Sequence, residues 1–127
     1  MLFRSTAHNL RAMKAAGFEV DRMVTCGGAT KSRNWMQMHA DVAGVPIALT
    51  EVGDAVVLGT CMVAAVGAGL FKDLPEAAKQ MVHEIDVIEP DQERHEEYQY
   101  YVDKYCDTYP QLRPMIHDMV DHEADKN

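Results

Sequence analysis

Nothing in this sequence is built to attract a polyanion. Its 127 residues carry 12 Lys and Arg against 20 Asp and Glu, a formal net charge of -8. Nucleic acid and an anionic bilayer would both repel such a chain, so neither is expected as its main partner. Cysteine is scarce: Cys26, Cys61 and Cys106 lie far apart, with no CxxC or CxxH spacing. That excludes a disulfide frame and a clustered zinc site, and three scattered thiols suit a reducing cytoplasm, the expected location. Residues 1–8 lack the apolar stretch of a signal peptide. The long charge-free run, residues 55–71, would span about 25 Å as a helix, short of a bilayer core. It is rich in Gly, Ala, Thr and Cys, and its flanks Glu51, Asp54 and Asp73 are acidic. It reads as a buried core helix rather than a membrane span.

Internal repeats, low-complexity linkers, GxGxxG and GxxxxGK[ST] are all missing. What is present is the balance of one globular domain, with 47% apolar and 25% charged residues. A chain of this size buries roughly two-thirds of its unfolded surface. Ser5 to Ala16 has apolar Ala7, Leu10, Met13 and Ala16 at three-residue steps and predicts a helix stopped by Gly17. The apolar run from Met23 to Cys26 ends in Gly27-Gly28 and predicts a buried strand. Ser32 is placed to cap a helix over 33–43, closed by Gly44. Val45 to Thr50 predicts a second strand, and Gly53-Asp54 opens the neutral helix to about Gly67. Helix, strand, helix, strand, helix argues for two parallel neighbours in an α/β sheet. Beyond Leu74 the spacing predicts a helix from Pro75 to Ile85, an extended link over 86–91 and a charged helix from Gln92 to Tyr105. Pro110 and Pro114 then punctuate the chain before a short final helix over 115–122 and a frayed end.

A strand, Gly27-Gly28 and a helix start is a recurrent way to hold a nucleotide. Glycines let the backbone approach a phosphate or a flat base, and helix N–H groups favour an anion. On spacing alone, a tight strand-to-helix turn with no ligand is the favoured reading. The longer string shifts the balance. Gly27-Gly28-Ala29-Thr30-Lys31-Ser32-Arg33-Asn34-Trp35-Met36-Gln37, followed by Ala40-Asp41-Val42-Ala43-Gly44-Val45-Pro46-Ile47, resembles the GGGxKSxxWxQ…ADVxGxPV signature of the FGGY carbohydrate kinases. Glu51, Leu58-Gly59 and Ala64 to Gly69 are similar to that family's E…ALGAAxxAAxGxG helix. Glu89-Pro90-Asp91 and Tyr98 through Tyr109 to Arg113 are similar to its PDPE…Y…Y…LR ending.

The resemblance implies a partial ribonuclease H-like, actin-like ATPase lobe over residues 1–73, with parallel strands flanked by helices. A helical extension over 74–127 would pack on it. Gly27, Gly28 and Ala29 would lie against ATP, with Thr30, Lys31 and Ser32 opening the next helix near adenine. Ala29 stands where xylulokinase-like members favour a third glycine, Ser32 stands where glycerol kinases carry an adenine-contacting Asn, and Trp35 points to the pentulose-kinase branch. The family's catalytic Asp, its phosphate loops and its sugar contacts lie upstream of the residues matched here. This chain is therefore expected to be inactive alone, with MgATP a substrate of the intact enzyme and sugar reached only through an N-terminal lobe. The strand at Met23 to Cys26, central in such a lobe, would have an open edge, which predicts a homo-oligomer.

The remaining candidates have plainer readings. His117 with Asp121, and Asp118 with His122, lack a third metal ligand and read as a solvated face. Asp41 is expected at the solvent or a strand end, and Asp54 as the cap of the long helix. Tyr98, Tyr101 and Tyr105 are expected to pack the tail helix onto the domain.

Overall fold

A computed structural model of the chain describes residues 2–124 and 126. The first helix, α1, covers Leu2–Ala15 and ends on Gly17, which sits at φ 88. Phe18 N–H donates to the Met13 carbonyl at 3.0 Å, a left-handed helix stop. The inward stripe of α1 is Phe3, Ala7 and Leu10, whereas Met13 and Ala16 are exposed. Three-residue steps rotate around a helix of 3.6 residues per turn, so the predicted stripe drifts out of the interface after Leu10.

β1 (Met23–Thr25) and β2 (Ile47–Thr50) pair in parallel, Met23 opposite Ile47 and Thr25 opposite Leu49. Between them α2 (Arg33–Ala43) begins at Ser32, whose hydroxyl accepts the Trp35 N–H at 3.4 Å, and ends at Gly44 with φ 71. These boundaries follow the predicted cap and stop. One face of α2 sends Met36 and Ala40 into a buried cluster with Ile47 and Ile88. Another side meets α1, where the Phe3 ring lies 4.5 Å from Trp35 and 4.4 Å from His39, centroid to centroid. A second cluster of Ala7, Val42 and Val102 joins α1, α2 and the last helix. Thus α2 is the middle layer, with the sheet on one side and two helices on the other.

Four elements depart from the sequence reading. α3 (Ala55–Gly67) forms as predicted, with Asp54 accepting the Val57 N–H at 3.1 Å, but none of its residues is buried. Val56 is 80% exposed, so the expectation of a buried core helix is corrected. It is apolar all round, and among the described residues its main packing partner is α4. α4 (Leu74–Met81) is shorter than predicted, capped by Asp73, and residues 84–88 form a third strand, β3, antiparallel to β2. The sheet is therefore mixed, in the order β1-β2-β3. β3 alternates Glu84, Asp86 and Ile88 with Ile85 and Val87; Ile88 is buried, while Glu84 pairs with Arg22 and Asp86 with Arg33.

The last helix, α5 (Gln92–Ala124), is one continuous element of 33 residues that contains Pro110 and Pro114 instead of breaking at them. The two prolines are four apart and share a face, so the missing N–H donors fall on one side of the helix. Every described residue of α5 beyond Cys106 is exposed. Val102, which is fully buried, docks the helix together with half-buried Tyr98 and Cys106, while Tyr101 is 45% exposed. Spacing of four, not three, selects the docking face.

Asp41 also departs from expectation. It is fully buried under the start of α5. Its Oδ1 accepts from Gln37 Nε2 at 2.7 Å and from the Asp91 N–H at 2.8 Å, and Arg94 lies 3.6 Å from Oδ2. A carboxylate at a helix N-terminus is favoured by the orphan N–H groups there.

Candidate functional site

Because β1 and β2 are parallel, the loops that follow them emerge at the same edge of the sheet. They are tied together: the Gly27 N–H donates to the Gly53 carbonyl at 2.7 Å. Gly27 has φ 95 and ψ -177, a conformation essentially reserved for glycine. The Thr30 hydroxyl donates to the Gly27 carbonyl at 2.7 Å, and residues Gly28–Lys31 make a single 3₁₀ turn. Ser32 N–H then donates to the Ala29 carbonyl at 3.1 Å before α2 starts.

Between the two loops is an open cleft of about 540 Å³. One wall is Cys26, Gly27, Gly28, Thr30 and Lys31; the other is Gly53, Asp54, Ala55 and Val56. A Cβ added at Gly27, Gly28 or Gly53 would meet nothing within 4 Å, so these backbone faces are bare toward the cleft. Bare peptide walls suit a flat ring, which stacks without side chains in the way. The carboxylate of Asp54, spent on capping α3, places negative charge on one wall, and Lys31 places positive charge on the other. Of the six residues singled out in the sequence, Gly27, Gly28, Thr30 and Lys31 line the cleft. Ala29 lies beside it on the 3₁₀ turn, and Ser32 is occupied in capping α2. Cys26, Gly53, Asp54, Ala55 and Val56 also line it, and no local motif marks them as site residues. The available signal was topological: loops after adjacent parallel strands share one edge, where α/β folds bind ligands.

Residues 2–68 match the FGGY family of carbohydrate kinases, C-terminal domain. The chain belongs to the FGGY family. The xylulose kinase of Staphylococcus epidermidis is 30% identical over 112 residues, covering 88% of this chain and 23% of that protein. The autoinducer-2 kinase of Escherichia coli K12 is 32% identical over 117 residues, covering 85% of this chain and 22% of the relative. Among solved structures, the xylulose kinase of Rhodospirillum rubrum superposes with a TM-score of 0.72 at 26% identity, over 91% of this chain and 24% of that one. A Plasmodium falciparum glycerol kinase solved with ADP gives a TM-score of 0.62, 84% of this chain and 23% of that one; at 18% identity it shows the fold alone. This FGGY chain spans about a quarter or less of the length of these relatives. Its α/β architecture is the actin-like, ribonuclease H-like fold of these kinases, with a three-stranded mixed sheet and a helical C-terminus. Among the described residues, no helix is long and apolar enough to cross a membrane.

Proposed function

We propose that this chain is the adenosine-binding part of an ATP-dependent carbohydrate kinase, in which the γ-phosphoryl of MgATP passes to a hydroxyl of a ketose or polyol. The observation that supports it is the pair of bare glycine walls, bridged from Gly27 to Gly53, at the shared ends of two parallel strands. Gly27 and Gly28 would lie against the nucleoside, with Ala29 at the rim. Thr30 holds the turn, Lys31 supplies the cation of the cleft, and Ser32 opens the helix beside it. Asp54 would repel a phosphate placed against it, so the neutral nucleoside end of ATP is the part that fits. The general base, the phosphate loops and the sugar contacts belong to an N-terminal lobe, and the chain on its own turns nothing over. A cytoplasmic setting accords with this chemistry.

A second reading is a non-catalytic, oligomerising remnant of such a kinase. It is favoured by β1, whose outer edge has no strand partner among the described residues. Complementation separates the two. Mixing the chain with a separately prepared N-terminal lobe of a xylulose kinase should restore saturable, ATP-dependent turnover that Gly28→Arg abolishes. A stable oligomer that restores nothing at any ratio favours the remnant.

A further inference from the structure

Away from the cleft, the seam between α1 and α5 brings a nucleophile and a base together. His8 Nδ1 lies 3.1 Å from Cys106 Sγ. The pair is held from both sides. One turn along, Arg11 donates to Asp103 Oδ1 and to Gln99 Oε1, each at 2.6 Å, which fixes the register of the two helices. The His8 ring stands edge-on to Tyr105, with centroids 6.4 Å apart and planes at 78°. Cys106 is half-buried and packs on the cluster of Ala7, Val42 and Val102, so its sulfur is not free to swing away. Both side chains open onto a cavity of about 490 Å³, walled mainly by Tyr109, Pro110, Leu112 and Ile116. A nucleophile, a base within hydrogen-bond reach and an apolar seat beside them make an activated-thiol arrangement. The other two thiols differ: Cys26 and Cys61 are exposed, and among the described residues neither is hydrogen-bonded to a histidine.

We propose that Cys106 and His8 form a modification site that exchanges with a small, uncharged disulfide seated in this cavity. The Cys106 thiol gives its proton to His8 Nδ1, and the sulfur attacks one sulfur of the disulfide. A new Cys106–sulfur bond forms as the reagent's own S–S bond breaks. The departing thiolate takes the proton from His8, so Cys106 is oxidised and half of the reagent is reduced. An uncharged reagent is specified because the cavity wall is apolar and the chain carries a net charge of -8.

The test uses limiting dithiodipyridine on the whole chain, with thiopyridone release timed and each cysteine mapped by mass spectrometry. Cys106 is expected to react about tenfold faster than Cys26 and Cys61 despite its lesser exposure, and His8→Gln to slow Cys106 alone by about tenfold. Circular dichroism and an unchanged urea midpoint report that the variant is folded, since the exposed Cys26 and Cys61 would react alike in either state. In concentrated urea the preference for Cys106 should vanish, since the pair depends on the packed seam. Three results overturn the proposal: Cys106 reacting no faster than the exposed thiols, His8→Gln leaving its rate unchanged, or the preference surviving unfolding.

Discussion

Gly44 shows how much a single position can demand. It ends α2 at φ 71, and a Cβ there would meet the His95 ring at 2.4 Å. His95 is held in turn by the Asp41 carbonyl at 2.9 Å, so the ring cannot simply retreat. Gly44→Ala should therefore cost about 1–3 kcal/mol, read as a lower urea midpoint at unchanged slope. Asp41→Ala strips the Gln37 side chain and the Asp91 N–H of their shared acceptor and should cost about 2–4 kcal/mol in the same assay. His39 adds a pH dependence. Burial beside Phe3 and Trp35 lowers its pKa, so the unfolded chain binds the proton more readily than the folded one. Its stabilisation is full above the ordinary histidine range and is lost as pH falls through the lowered folded value. Melting temperature should drop as pH falls below the ordinary histidine range, and His39→Leu should flatten that part of the curve. Gly44 as a stop was legible from Ser32, the helix pattern and the glycine itself. The burial of Asp41 was not, because its partners lie fifty residues away on an element whose position no local pattern gives.

Among the elements, those with local signals were legible. Ser32, Asp54 and Asp73 cap α2, α3 and α4 through their own oxygens, as short polar side chains at helix starts do. β3 was missed because the apolar spacing of residues 75–85 can be continued as a helix. What makes 84–88 a strand is β2 alongside it and the cations Arg22 and Arg33 opposite its acids. The Arg33 guanidinium holds the Asp86 carboxyl below the usual carboxylate range. That tie is present above the ordinary range and is lost as acid drives pH through the lowered value, so Asp86→Asn should weaken the acid limb of the stability curve. The full length of α5 is not legible because proline usually ends a helix, yet its docking residues Tyr98, Val102 and Cys106 all precede Pro110. Every described residue after Arg113 is exposed. Deleting residues 117–127 should change the unfolding free energy by less than about 1 kcal/mol by urea titration.

At the scale of the whole molecule, the exposed apolar residues are concentrated where this chain has few partners for them. Val24 on β1 is 54% exposed, and Val56, Val57 and Val63 on α3 are 80%, 57% and 61% exposed. Such surfaces, together with the edge of β1 that has no strand partner among the described residues, predict self-association. Light scattering at micromolar concentration should report a dimer or larger; a monomer mass would remove the support for β1-edge pairing. The family was legible here because its motifs follow one another in order along the chain, and the glycine turn because Gly27-Gly28 ends an apolar strand. The second wall of the cleft was not, since Gly53 and Asp54 join the site only through strand pairing.

Calorimetric titration of the purified chain with ADP and ATP, wild type against Gly28→Arg, tests the adenosine-site assignment most directly. Saturable binding at micromolar to millimolar strength, of similar strength for the two nucleotides and abolished by the arginine, is the predicted result. Binding that survives Gly28→Arg, or no heat from a chain shown by circular dichroism to be folded, would contradict it.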